Sequence, residues 1–339
     1  KLEMTDPLFD TPVPERAVMA VMTSGTTGIP KILFRSFESW ADFFPIQNAV
    51  FGVDADSRLF VQGSLAFTGN LNLYMGQLAA GGTLIAEDVF LPGKWEQVMA
   101  RERANGIYLI PSKLLMLPRV FKGVNANIRT IISGSQSLGR KDAEVLKKIF
   151  PNTEITLYYG ASELNYITYV KSADMTEERN LIGKPFPGVR VFIQDDEMYV
   201  DNAFHVENIT VPYSLRDSGR MDAQGNFYFL GRTDDIVGVR GRKVSMMKIE
   251  NALEEVAGIT EAAVVLLPKE KEADMPAEIV SAFVTVEGTD EPENLRQQLK
   301  EKLADFEIPK RVIVLEALPK NTSGKVDKAR LRQWWLDSE

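Results

Sequence analysis

Residues 22–31 read Met-Thr-Ser-Gly-Thr-Thr-Gly-Ile-Pro-Lys, four hydroxyls, two glycines and a lysine within ten positions. Gly25 and Gly28 let a backbone present successive N–H groups, Ser24, Thr26 and Thr27 add hydroxyl donors, and Lys31 adds a positive charge; such a loop holds phosphate. It is not a Walker loop, because Ile29 and Pro30 separate the second glycine from Lys31 and the glycine spacing differs. Three more polar strings follow. Residues 158–163 read Tyr-Tyr-Gly-Ala-Ser-Glu, a hydroxyl beside a carboxylate. Residues 217–235 begin with Asp217 and pass Arg232 and Asp234, and residues 321–332 contain Lys325. Alone, Glu163 and Lys325 would read equally well as surface charges.

The composition removes other chemistries. The 339 residues include no cysteine and a single histidine, His205, so thiol nucleophiles, thiolate metal sites and multi-histidine metal sites are excluded, and His205 lies far from any nucleophile-like serine motif. A formal net charge of -8 argues against a nucleic-acid partner. No apolar run approaches the roughly 20 residues of a membrane span, and the N-terminus lacks a signal-peptide profile. A cytoplasmic protein is expected.

Taken together, the four strings resemble, in order, the motifs of the adenylate-forming superfamily of acyl-CoA synthetases, peptide-synthetase adenylation domains and luciferases. The resemblance covers nearly the whole chain. It implies that a carboxylate attacks the α-phosphate of ATP to give an acyl-adenylate and pyrophosphate, and that a thiol then displaces AMP. It assigns Ser24, Gly25, Thr26, Thr27, Gly28 and Lys31 to the β- and γ-phosphates, Ser162 to the α-phosphate and Glu163 to Mg²⁺. Tyr159 and Gly160, with the strand-end turn Gly134, Ser135 and Gln136, would border the adenine. Asp217 would bind the ribose and Arg232 ribose or phosphate. Lys325 would bridge the attacking carboxylate and the α-phosphate, Asp234 would be an interdomain hinge, and Gly241 would line the thiol tunnel. Phe67 aligns with an aromatic gate to the acyl pocket. Thr68 stands where amino-acid-activating members carry an aspartate; a buried substrate ammonium would lack its partner there, which disfavours α-amino acids. Aryl, fatty and dicarboxylic acids remain, and Asn70, Asn72 and Tyr74 either contact the acid or face water.

The expected activity is therefore an AMP-forming acyl-CoA synthetase using ATP, Mg²⁺ and CoA. The alternatives are an enzyme loading the phosphopantetheine of an acyl carrier protein, or a catalytically weak nucleotide-binding regulator. Three departures from the family pattern matter. Ile32 replaces a glycine, and Leu215-Arg216-Asp217 replaces Thr-Gly-Asp. Only 21 residues precede the first motif, where relatives carry on the order of 150, so the sequence given is expected to lack an N-terminal subdomain, either as a piece of a longer chain or as a naturally short member.

These loops need strands and helices to position them. Apolar runs such as 58–63, 82–87, 106–111, 128–133 and 154–160 alternate with amphipathic stretches such as 142–150, the pattern of an α/β fold with a layered, largely parallel sheet. Residues 17–22 (Ala-Val-Met-Ala-Val-Met) read as a buried strand leading into the phosphate loop. A small antiparallel subdomain is predicted over 189–229. The domains are placed at 1–231 and 232–339, the second a small mobile α+β domain with two helices and three strands carrying Lys325.

Overall fold

The computed structural model describes residues 12–23, 31–65, 67–233, 236–239, 242–269, 278–288, 292–320 and 326–338. The chain divides into two compact units, Lys1–Leu215 with Arg220–Phe229, and Arg216–Gly219 with Leu230–Glu339.

The larger unit begins with β1 (Ala17–Thr23) and β2 (Lys31–Ser36), which pair antiparallel as a two-stranded sheet of their own. That arrangement corrects the expectation of a buried strand at 17–22. Val21 packs inward, but Val18 is 60% and Met22 64% exposed, because a strand in a lone hairpin covers only one of its two faces. After α1 (Phe37–Ala41) and α2 (Phe44–Phe51) comes the alternation read from the sequence: β3 (Arg58–Gln62), α3 (Thr68–Ala79), β4 (Thr83–Glu87), α4 (Pro92–Arg101), β5 (Gly106–Tyr108), α5 (Pro111–Leu114), α6 (Leu117–Val120), β6 (Thr130–Gly134), α7 (Arg140–Ile149) and β7 (Glu154–Ala161). Strands β3 to β7 run parallel to one another. The sheet continues through β8 (Asn165–Lys171), β9 (Leu181–Pro185), β10 (Arg190–Gln194), β11 (Glu197–Asp201), β12 (Tyr213–Met221) and β13 (Phe227–Arg232) in the order β10-β11-β12-β13-β9-β8-β7-β6-β5-β3-β4. The antiparallel strands predicted near 189–229 thus extend the same mixed sheet.

Period-2 alternation fills both faces of its parallel part. Phe60, Ile107, Ile131 and Ile155 join Trp95, Leu146 and Phe150 on one face. Leu59, Val61, Ile132 and Tyr158 join Phe43, Phe51, Leu73 and Tyr166 on the other. Helix α7 begins where Asp142 Oδ2 accepts from Gly139 N at 2.9 Å and buries Ala143 and Leu146 one turn apart.

The smaller unit contains the hairpin β14 (Ile236–Val239) and β15 (Arg242–Ser245), then α8 (Met246–Glu254), whose first turn is capped by Ser245 Oγ accepting from Lys248 N at 3.3 Å. Strands β16 (Ile259–Pro268), β17 (Glu278–Val286) and β18 (Arg311–Val314) form a three-stranded sheet, with α9 (Leu295–Lys300) and α10 (Lys328–Asp337). The sequence pattern anticipates α8, β16, β17, α9 and β18; the described residues add the β14–β15 hairpin and α10. Val264, Ala282 and Val284 pack with Leu253 and Leu299, and Leu267 and Phe283 pack with Leu331.

Candidate active site

Ser162 and Glu163 occupy the turn between β7 and β8, beyond the carboxyl end of the parallel strands. Sterics dictate the glycine before them. A Cβ on Gly160 would lie 2.6 Å from the main-chain oxygen of Asn165, so the register shift between Tyr159 and Gly160 closes only without a side chain. Asn165 closes the other side of the turn with φ +67°, a left-handed conformation that asparagine tolerates. Its Oδ1 accepts from its neighbour Tyr166 N at 3.1 Å and from Asn72 Nδ2 at 2.8 Å.

Asn72 belongs to α3, and that helix is latched to the turn at two further points. Tyr166 Oη donates to Gly69 O at 3.1 Å, and the Thr68 and Ser162 hydroxyls lie 3.0 Å apart. Asn72 is 2% and Tyr74 5% exposed; neither faces water. Trp40 Nε1 donates to Asn72 Oδ1 at 2.8 Å, and Tyr74 Oη donates to Gly63 O at 3.2 Å. Asn70 Nδ2 donates to Ser64 O at 2.8 Å. Phe67, the residue before the helix, is 46% exposed.

Arg35 lies beneath the turn, and no motif in the sequence points to it. Fully buried on β2, it donates to Ser162 O at 2.8 Å, Phe204 O at 2.9 Å and Ser39 O at 3.1 Å. Burial pushes its guanidinium down to about 10, opposed by the Glu163 carboxylate. Tyr213 is pushed up, first by burial and then by the same carboxylate. Glu163 is half-buried and enters no salt bridge among the described residues. No group of three or more His, Cys, Asp or Glu among the described residues could hold a metal alone. A Mg²⁺ at Glu163 would therefore complete its shell with oxygens of a phosphate ligand and water, the donor set that this ion favours.

The segment 204–208 fastens β2 to the turn. Val206 N donates to Glu163 O at 2.9 Å, Glu207 N to Phe34 O at 2.7 Å, and Asn208 Nδ2 to Ile32 O at 3.1 Å. His205 makes a local contact, its Nδ1 2.7 Å from Val206 O. Lys31 starts β2 as an exposed residue opposite Thr23.

At the end of β6, Gly134 is required by its neighbour: a Cβ there would lie 2.4 Å from the Tyr158 ring. Ser135 follows with φ +70°, and Gln136 Oε1 accepts from Ser112 N at 2.9 Å. The Tyr159 ring lies 5.9 Å from that of Phe229. In the smaller unit the buried Asp217 pairs with Arg232, Oδ1 to Nε 3.6 Å. Ser24, Gly25, Thr26, Thr27, Gly28, Asp234, Gly241 and Lys325 lie outside the described residues.

Comparison with known proteins gives the geometry its context. The profile of a family described as AMP-binding enzyme matches residues 3–203, and one described as AMP-binding enzyme C-terminal domain matches residues 248–325. The chain is 28% identical over 345 residues to an uncharacterized acyl-CoA ligase, YhfT, of Bacillus subtilis (strain 168), covering 96% of this chain and 70% of that protein. It is 28% identical over 348 residues to a linear gramicidin synthase component of Brevibacillus parabrevis, covering 92% of this chain and 7% of that protein. Its fold is that of ATP-bound MatB from Rhodopseudomonas palustris, with a TM-score of 0.80 at 24% identity over 95% of this chain and 68% of that one. No helix among the described residues is long and apolar enough to cross a membrane.

Proposed function

This chain belongs to the AMP-binding enzyme family, and on that premise we propose that it uses ATP to activate a carboxylic acid as an acyl-adenylate and passes the acyl group to the thiol of coenzyme A. The nucleophile of the first step is already an anion, so the chemistry calls for charge neutralisation and alignment more than for a general base. That need matches a chain with one histidine and no cysteine.

The 3.0 Å contact between Thr68 and Ser162 carries the reading. It sets the head of α3, proposed as the acid's entrance beside Phe67, against the residue proposed at the α-phosphate. An acid seated at Thr68 thereby meets the phosphorus that it must attack. Ser24, Thr26, Thr27 and Lys31 would hold the outer phosphates, with Gly25 and Gly28 shaping their loop. Glu163 would hold the Mg²⁺, which when bound offsets phosphate charge. Tyr159, Gly134, Ser135 and Gln136 would border the adenine, Asp217 and Arg232 would take the ribose, and Lys325 would neutralise charge between carboxylate and α-phosphate. Asp234 as hinge and Gly241 beside the thiol complete the proposal, with residues 1–231 and 232–339 as the two domains.

ATP–pyrophosphate exchange over a panel of carboxylic acids tests the first half-reaction. Magnesium-dependent exchange with at least one acid is expected, and Lys325→Ala should lower it by ~10²-fold or more while sparing thioester formation from preformed adenylate. Failure of every acid would favour the catalytically weak nucleotide-binding alternative. The similarity to a component of linear gramicidin synthase favours a second acceptor, a carrier-protein phosphopantetheine. Acyl transfer to a carrier protein but not to CoA would select it.

A further inference from the structure

Parallel strands bring the carboxyl ends of β7, β6, β5 and β3 to one edge in that order. Ser162 lies just past β7, Gly134 ends β6, Lys113 follows β5 in the short helix α5, and Gln62 ends β3. Ligands of open α/β sheets bind along this edge.

Lys113 is incomplete as it stands. Its ammonium is half-buried and donates to the Gln62 main-chain oxygen at 3.3 Å and to Gln62 Oε1. The Phe90 ring centroid lies 5.9 Å away. These acceptors are neutral, and none of the salt bridges among the described residues includes Lys113. Burial holds the ammonium below the usual lysine range. A partly desolvated cation without a countercharge is costly unless an anion completes it. Neighbouring groups keep it in place: Ser112 N donates to Gln136 Oε1 at 2.9 Å, tying α5 to the turn after β6.

We propose that Lys113, staged on Gln62, binds a second, distal carboxylate of the acid activated at Ser162, which makes the substrate a dicarboxylic acid. The proposal rests on the activation reading above. Three strand spacings of about 4.8 Å separate the ends of β7 and β3, roughly 14 Å. With the activated carboxylate seated by Thr68 beside Ser162 and the distal one on Lys113, about 3 Å of contact at each end leaves about 8 Å between the carboxylates, the span of a chain of about six to eight carbons.

The test is ATP–pyrophosphate exchange without CoA, comparing straight-chain monocarboxylic acids with α,ω-dicarboxylic acids of equal length. Wild type should prefer the dicarboxylic acids by ~10-fold or more, with a maximum at the stated length. Lys113→Met should abolish that preference while leaving exchange with monocarboxylic acids and the thermal midpoint little changed. Lys113→Arg should keep the preference, and Lys113→Glu should move it to acids with a distal ammonium. Exchange with monocarboxylic acids alone, or equal losses for both acid classes in Lys113→Met, would overturn the proposal and leave the activation reading intact. No exchange with any acid would overturn both. If the exchange shows unchanged acid preference in Lys113→Met while the complete thioester-forming reaction shows a raised KM for CoA, the anion is a CoA phosphate and the dicarboxylic proposal falls.

Discussion

Two hairpins carry candidate phosphate-binding residues, and they are built in opposite ways. The β7–β8 hairpin lies within the large sheet, its tyrosines Tyr158 and Tyr166 buried and its turn bonded to α3 through Thr68 and Asn72. The β1–β2 hairpin stands as a separate two-stranded sheet with Val18 and Met22 largely exposed. A lone two-stranded ribbon is marginal in water, so its position must come from outside its own ladder. Arg35 and the 204–208 segment supply that, and Arg35 bonds directly to the β7–β8 turn through Ser162 O. One hairpin thus takes its geometry from the core, and the other takes its geometry from the first.

Breaking that dependence should give the largest effect. Arg35→Met leaves three main-chain oxygens, those of Ser162, Phe204 and Ser39, without their donor in a buried site. We expect a loss of about 3 kcal/mol or more in urea-denaturation stability. Arg35→Lys should recover only part of it, because one ammonium lacks the planar fork that reaches three carbonyls. A lysine variant as stable as wild type would show that a buried charge alone suffices.

Arg35 also marks where the sequence stops being legible. The glycines, Ser162 and Glu163 stand in short strings whose residue types announce their chemistry, and the parallel α/β alternation follows from apolar runs. Arg35 sits in Leu-Phe-Arg-Ser with no periodic signal, and two of its acceptors lie 127 and 169 residues away. Asn165 is similar: an asparagine two positions after Glu163 is unremarkable until Asn72, 93 residues away, bonds to it. The run at 17–22 misleads for a related reason. Continuous apolar character suggests burial on both faces, yet whether a second layer exists depends on distant chain.

Thr68 tests the core-built side at smaller cost. Thr68→Val keeps the shape but removes the hydroxyl 3.0 Å from Ser162, so on the proposed reading exchange should fall by about 10-fold with a stability change near 1 kcal/mol. Thr68→Ser should keep most of the activity. Equal exchange in the valine variant would remove Thr68 from the site.

Alkaline titration reports on the core that builds the β7–β8 side, where Tyr158 lies on β7 and Tyr74 on α3. Burial pushes Tyr158 up to about 12, partly offset by its hydrogen bond with Tyr108, and pushes Tyr74 up to about 12 as well. Both raised groups stay neutral in the fold while the unfolded chain ionises near 10, so their stability is fully present below about pH 10 and lost as pH rises toward 12. Tyr158→Phe should flatten that decline without altering the neutral-pH activity by more than a few-fold. Absorbance titration of native protein that finds every tyrosine ionising near 10 would contradict the buried arrangement.

The smallest effect belongs to the outer face of β1. Val18 and Met22 contribute little burial, so Val18→Thr and Met22→Thr should each change stability by no more than about 0.5 kcal/mol, as for surface substitutions generally. Val21, between them in sequence, packs with Leu33 and Val206. Val21→Thr puts a hydroxyl among those side chains and should cost about 1 kcal/mol or more. Urea midpoints at constant m-value measure all three. The contrast within one strand matters more than either number, since it reports whether β1 has one covered face or two. If the outer substitutions cost as much as Val21→Thr, a second layer lies over the hairpin in solution, and its position would then owe less to Arg35 than the comparison of the two hairpins implies.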